Sequence, residues 1–282
     1  MRHARPDRRG RERWKAVTRP SSIGLVGTLL LLLAACTHPS PAVPVPDPTP
    51  AWHYVPATAR IAVATHRWSA AAVHGRGTRS REELRYTVRL TLQGDSTGLT
   101  ADVVVDSVAA AAGWVPNEVE RLRRARYIMA LDQDGHRLDP PAEPTTTPLA
   151  RLLPILLPVF PPGGLQAGTI WSDSAVTIAT HDGTTLTADI VTTFHSPDAV
   201  DTDSVAINWS RTYTFHGEGE QMGQSFVVSG TGLGHGTTWV RFPGRFQATV
   251  QSDSTTAEMR VVDTDTTIPV IQVSVDTLQV IS

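Results

Sequence analysis

Cysteine and lysine are almost missing from this 282-residue chain: Cys36 and Lys15 are the only ones. A single cysteine excludes an internal disulfide framework, so the fold has to rest on packing and hydrogen bonds. Without a lysine beyond position 15, Schiff-base and Ser-Lys chemistry have no nucleophile in the body of the chain. Zinc-type HExxH and HxH spacings are missing among the histidines, and no Gly-x-Ser-x-Gly elbow marks a hydrolase serine. Nor does any apolar run reach the roughly 20 residues that a membrane-spanning helix needs.

What is present begins with a basic segment (Arg2, Arg5, Arg8, Arg9, Arg11, Arg13, Lys15, Arg19) followed by an apolar stretch from Ile23 to Leu33. Small residues then lead to Leu33-Ala34-Ala35-Cys36. Basic, apolar and small-residue parts in that order have the form of a secretory signal. The Arg8-Arg9 pair lies too far ahead of Ile23 for a twin-arginine signal. The four residues ending in Cys36 resemble the lipobox of bacterial lipoproteins. That resemblance implies that residues 1–35 are a signal peptide and that Cys36 carries the lipid and starts the mature chain. Thr37, where an aspartate would retain such a protein at the inner membrane, implies the outer membrane, with the domain in the periplasm or at the cell surface.

Removing residues 1–35 takes away eight cations and two acids, leaving 17 cations against 25 anions, a net charge near −8. Such a balance offers little to a phosphate backbone, so no nucleic-acid partner is expected. Residues 37–50 contain six prolines. They favour extended polyproline II, and residues 36–51 read as a tether of up to roughly 40 Å.

From residue 52 onward, apolar and polar residues alternate with period 2, the pattern of half-buried strands. Leu84, Tyr86, Val88, Leu90 and Leu92 share one face, and Arg85, Thr87, Arg89 and Thr91 the other. Gly94 to Gly98 reads as a turn and Leu99 to Val108 as the returning strand. In a second pair, Leu186, Ala188 and Ile190 run out, and Val205, Ile207, Trp209, Arg211, Tyr213 and Phe215 return on one face. Further strands are expected at 61–68, 127–131, 170–179, 225–230, 237–242, 246–251, 256–262 and 270–280. The fold class is therefore all-β: a curved antiparallel sheet, half-barrel or sandwich with one or two short helices, over residues 52–282. A division into two similar halves near 148–168 is suggested by the echo of Gly168-Thr-Ile-Trp171 in Gly236-Thr-Thr-Trp239. The stretch from Phe160 to Trp171 is similar to a pattern in uncharacterised β-rich envelope lipoproteins, which implies a sheet fold and no particular activity.

Two segments interrupt the alternation. Asn117 to Ala125 reads as a helix capped by Asn117, with acids in its first turn and arginines in its last. Pro148 to Pro162 is apolar nearly all round, and Pro154 and Pro158 are expected to limit it to one or two helical turns before extended chain. Residues 149–160 are expected to lie across the concave face of the sheet.

The residues with chemical potential each have a plainer structural reading. Gly230, Gly232, Gly234 and Gly236 suggest a phosphate cradle, but a strand rather than a helix follows, so a hairpin or bulge is expected. Asp132 and Asp134 begin like a calcium loop whose later ligands are missing, and Asp134-Gly135 suits a hairpin turn. Asp201 with Asp203, Asp263 with Asp265, and Glu218 with Glu220 read as solvated turn residues. No catalytic residue, metal or cofactor is assigned. Two functions remain: a non-enzymatic structural or interaction module of the cell envelope, or carriage of an apolar ligand such as lipid in a groove touched by Leu152, Leu156 and Phe160. The latter resembles, in architecture alone, the half-barrel lipoproteins that carry lipids between bacterial membranes.

Overall fold

The computed structural model describes residues 52–281 except 74–75, 96–97, 139–144, 182–183, 202 and 222. Cys36 and the proline-rich segment lie outside the described residues. The domain is all-β, a curled half-barrel sheet with two short helices. Its strands are β1 (Ala57–Val73), β2 (Arg76–Asp95), β3 (Gly98–Ala112), β4 (Arg126–Leu131), β5 (Thr145–Thr146), β6 (Ile170–His181), β7 (Thr184–His195), β8 (Ser204–Gln221), β9 (Gln224–Arg241), β10 (Arg245–Val261) and β11 (Thr266–Ile281). Helices α1 (Pro116–Arg123) and α2 (Thr147–Leu156) occupy two of the connections.

The sheet order is β4-β3-β2-β1-β11-β10-β9-β8-β7-β6-β5, antiparallel throughout except for the short β5–β6 pair. Two meanders, β1–β4 and β6–β11, are therefore joined where the first strand pairs with the last. They have four strands and six, unequal parts on either side of residues 148–168. The chain leaving β4 reaches the β6 edge early, Arg137 Nη1 donating to the Val176 carbonyl at 3.3 Å and β5 pairing with β6, and α2 then runs from that edge over the concave face. Strands of 15 to 20 residues are far longer than the usual five or six, and twist accumulates along them. Register shifts between Phe246 and Ala248, and within the β2–β3 pair, add bends.

The alternation read from the sequence fixes the facing of the strands. Leu84, Tyr86, Val88, Leu90 and Leu92 are buried, while Arg85 and Arg89 are exposed. With Ile61, Val63, Val103 and Ile207 they form one core with the crossing segment.

Four local expectations are corrected. The glycine run 230–236 does not turn the chain; it lies in the middle of β9, which absorbs the two strands expected at 225–230 and 237–242. Likewise 246–251 and 256–262 are one strand, β10. Glu218 and Glu220 lie within β8, whose turn comes after Gln221. Pro116 at the first helical position opens α1, with Val115 rather than Asn117 at the cap. In addition, α2 runs through Pro154 to Leu156, longer than the proline suggested. Its apolar faces are held on both sides by core residues, and that packing outweighs the local cost.

The two Gly-Thr-x-Trp segments differ in conformation. Gly168 has φ 68° in the turn before β6, whereas Gly236 is extended within β9.

Candidate functional site

Period 2 places Gly230, Gly232, Gly234 and Gly236 on one face of β9, directly opposite Phe215, Tyr213, Arg211 and Trp209 of β8. The β8 side chains lie across the space left by the missing Cβ atoms: a Cβ at Gly232 would overlap the Tyr213 ring, and one at Gly230 the Phe215 ring. Glycine weakens a strand by entropy and lost packing, and the covering side chains restore that packing. The glycine run therefore lets large side chains lie flat along the concave face.

One lateral row of that face is polar. Glu82, Arg67, Ser274, Asp253, Gly234, Arg211 and Thr192 are successive cross-strand partners from β2 to β7. Thr65, Asp276 and Gln251 stand beside it in the next row. Arg211 binds Asp253 through two hydrogen bonds, Nε to Oδ1 at 2.9 Å and Nη2 to Oδ2 at 2.6 Å. From α2, Arg151 Nη2 reaches Asp253 Oδ2 at 3.3 Å and Asp276 Oδ2 at 3.2 Å, and also donates to Ser274 Oγ. Gln251 donates to Asp276. At the other end of the row Arg67 pairs with Glu82 and lies 4.4 Å from the centre of the Trp114 ring.

Two arginines thus meet two carboxylates within Arg151, Arg211, Asp253 and Asp276, and the charge closes to zero. Burial would raise the Asp253 carboxyl, but Arg211 and Arg151 beside it hold it below the usual carboxylate range. Burial likewise opposes the charge on Arg151, which Asp276 and Asp253 more than offset, raising it above the ordinary guanidinium value. Burial lowers Arg67 against the pull of Glu82. A buried ion-pair network roughly breaks even in stability, because desolvation cancels attraction. Its consequence here is positional: Arg151 ties α2 to β10 and β11.

The belt divides the concave face along the strands. On one side, the chain from α2 to Leu165 fills the space. Tyr54 Oη donates to the Pro158 carbonyl at 2.7 Å, Trp171 Nε1 to the Val159 carbonyl at 2.6 Å, and Phe160 N to the Asp134 carbonyl at 2.7 Å. On the other side the face is open. A cavity of about 130 Å³ lies there, bounded by Ala150 and Arg151 of α2 and by Ala179, Leu186, Ala188 and Phe215 among the sheet residues. Ile190, Tyr213 and Thr255 extend its floor, and Tyr213 Oη is tied to Thr255 Oγ1 at 2.6 Å. Burial and Asp253 raise the Tyr213 hydroxyl, keeping it neutral.

The proposed ligand contacts fall elsewhere. Leu152, Leu156 and Phe160 are 2%, 0% and 0% exposed and belong to the main core; none lines the 130 Å³ cavity. Phe160 packs against Tyr54 with ring centres 5.0 Å apart. The helix presents Ala150 and Arg151 to the cavity instead. Sequence reading placed Arg211, Tyr213, Leu186, Ala188 and Ile190 on inward faces without joining them into a site. The missed signal was a charged residue, Arg211, at a position whose neighbours at i±2 are aromatic. Arg151 and Asp253 carried no comparable local cue.

Of the remaining candidates, Asp132 Oδ1 accepts from the backbone N–H of Asp134 and His136 at 3.0 and 2.8 Å, a turn-forming role. Asp201 does the same for Asp203. Among the described residues no grouping of three or more His, Cys, Asp or Glu side chains is placed to hold a metal ion. No described helix is long and apolar enough to cross a membrane.

Fold and site together define an all-β half-barrel with a charge-balanced belt and an open apolar bay beside it; a second cavity, of about 160 Å³, is lined by Ala59, Leu90, Leu92, Leu157 and Phe246. Neither the models of known protein families nor the curated proteins yield a match to this chain.

Proposed function

We propose that the domain binds an apolar, uncharged ligand such as a lipid acyl chain in the open bay, and does so as a lipid-anchored protein of the bacterial cell envelope. The observation that carries the binding reading is the 130 Å³ cavity, which, unlike the cavity of about 160 Å³ lined by Leu90, Leu157 and Phe246, adjoins the polar belt. Apolar walls with a few fixed polar groups are the usual form of a small-molecule site. The neutral belt supports an uncharged occupant, because neither arginine is left with a free charge to offer an anion. The anchor rests on the likeness of Leu33 to Cys36 to a lipobox, with outer-membrane placement following from Thr37. No catalytic step is part of this reading.

Titrating the full chain with an apolar, environment-sensitive fluorophore tests the bay. Saturable enhancement is expected, lost in Ala188→Trp, whose indole fills the cavity, and kept in Leu233→Ala on the outer face. A wild-type chain that never binds the probe would retire the ligand reading. The envelope-module reading would then stand, and the complete burial of Leu149, Leu152 and Leu156 favours it, since half of the concave face is already occupied by the chain itself. For the anchor, metabolic labelling with a fatty-acid analogue is expected to mark the wild type and not Cys36→Ser. Equal labelling of both would remove the lipid attachment.

A further inference from the structure

The outer face holds a grouping that the bay does not use. In one lateral row Arg81 of β2, Trp68 of β1 and Val273 of β11 are direct cross-strand neighbours, continued by Ser254 and Leu233. In the adjoining row stand Arg79, Ala70 and Ile271, then Thr256 and Thr231. Trp68 is 41% exposed, Val273 39%, Ile271 54% and Leu233 64%. Arg79 and Arg81 are exposed, and the Arg81 guanidinium lies 6.0 Å from the Trp68 ring centre. From β2 to β9 those two rows contain no carboxylate; the second meets its first, Asp189 of β7, only beyond Thr214 of β8. The nearest ones are engaged or lie outside: Glu83 pairs with Arg85 at 2.7 Å, Glu82 pairs with Arg67 on the concave side, and Glu258 stands one row beyond Thr256. Arg76, also exposed, stands near the tip of the β1–β2 hairpin, past the pairing of β1 with β11, where the alternation places it on the face opposite Arg79 and Arg81.

We propose that this patch docks the domain on an anionic lipid surface, with Trp68, Ile271 and Val273 at headgroup depth and Arg79 and Arg81 on lipid phosphates. Indole and guanidinium together suit a place where one side is apolar and the other wet and charged. From residue 36 onward the chain has a net charge near −8, so attraction to an anionic surface has to be local to this patch. The proposal is independent of the bay, which faces the opposite side of the sheet.

Vesicle binding of the full chain tests it, with Trp68 emission isolated as the difference between wild type and Trp68→Phe and quenched by brominated lipid. Phosphatidylglycerol in the vesicles is expected to give quenching of Trp68, and pure phosphatidylcholine or added salt to abolish it. Arg79→Gln with Arg81→Gln is expected to weaken the partition about 25-fold, at about 5-fold per arginine near an anionic surface. Lysine at both positions keeps the charge and should keep the binding. Both pairs of variants change exposed side chains, and unchanged far-ultraviolet dichroism checks that the sheet persists. Unquenched Trp68 on every vesicle, or equal binding by the glutamine variant, would overturn the proposal. So would capture by a soluble acidic polypeptide with no binding to vesicles.

Discussion

The two sides of the belt are built from the same strands with the same alternation, yet one is filled by the crossing segment, save for a cavity of about 160 Å³ beside Leu157, and the other is open. On the closed side Ile61, Val63, Leu278, Ile207 and Phe194 are covered by α2 and the chain after it. On the open side Leu186, Ala188, Tyr213 and Phe215 point from the same face and remain partly exposed. Facing is therefore a property of the strands, whereas cover is a property of the one connection that crosses them. That connection reaches only part of the face because three hydrogen bonds to Pro158, Val159 and Phe160 pin it on one side.

Charge placed on the closed side gives the largest expected effect. Val88→Asp should be severely destabilising, by several kcal/mol, because an unpaired carboxylate would be buried. If it folds and melts like wild type, the closed side is not dry core. Next, Leu156→Ala should cost about 2–5 kcal/mol through the cavity it leaves, whereas Leu186→Ala on the open side should cost much less and weaken probe binding instead. Equal losses in denaturant titrations would erase the distinction between the sides.

The belt between them is comparably sensitive. Asp253→Ala strands Arg151 and Arg211 in a buried site and should cost about 3–5 kcal/mol. Its titration gives the sign of a pH effect. The Asp253 carboxyl is held below the unfolded value of about 3.9, so the unfolded chain binds more protons between the two values and stability rises with pH there. The contribution is fully present above about pH 4 and is lost as the pH falls through the depressed folded value. Urea titrations over this range should show that slope in wild type and a smaller one in Asp253→Asn.

A smaller effect sharpens the reading of the open side. Gly232→Val would push the Tyr213 ring off β9 and should cost about 1–3 kcal/mol with loss of probe binding, since it deforms the floor of the bay. Leu233→Val, the next residue and exposed on the other face, should do neither. Least of all, Arg89→Asp on the outer face should change stability by under about 1 kcal/mol, its 3.5 Å contact with Asp106 being half exposed. A large loss there would mean that the outer face is not solvated.

Much of the sheet was legible because burial on one face writes period 2 into the sequence. The inward run of Leu84 to Leu92 and that of Val205 to Phe215 were read in their observed facing. Breaks between strands were read less well, and for a physical reason. Glycine is a turn former when the chain must adopt positive φ, as at Gly168, and an interior strand residue when a neighbouring side chain covers it, as at Gly232. The two cases look alike until the neighbouring strand is placed. The bay was half legible: its wall residues lay on recognised inward faces, but Leu152, Leu156 and Phe160 were chosen because an apolar run suggests contact with something greasy, and that something is the sheet itself.

The sequence by itself determined the strands, their facing and the apolar character of the crossing segment, because these follow from interactions between residues two or four apart. Only the tertiary structure decided that the first strand pairs with the last, that Arg151, Arg211, Asp253 and Asp276 meet, and that the crossing segment leaves one side uncovered. Each of those depends on groups from tens to over a hundred residues apart, whose proximity is set by sheet order and by where the connection is tied down, and no local pattern encodes either.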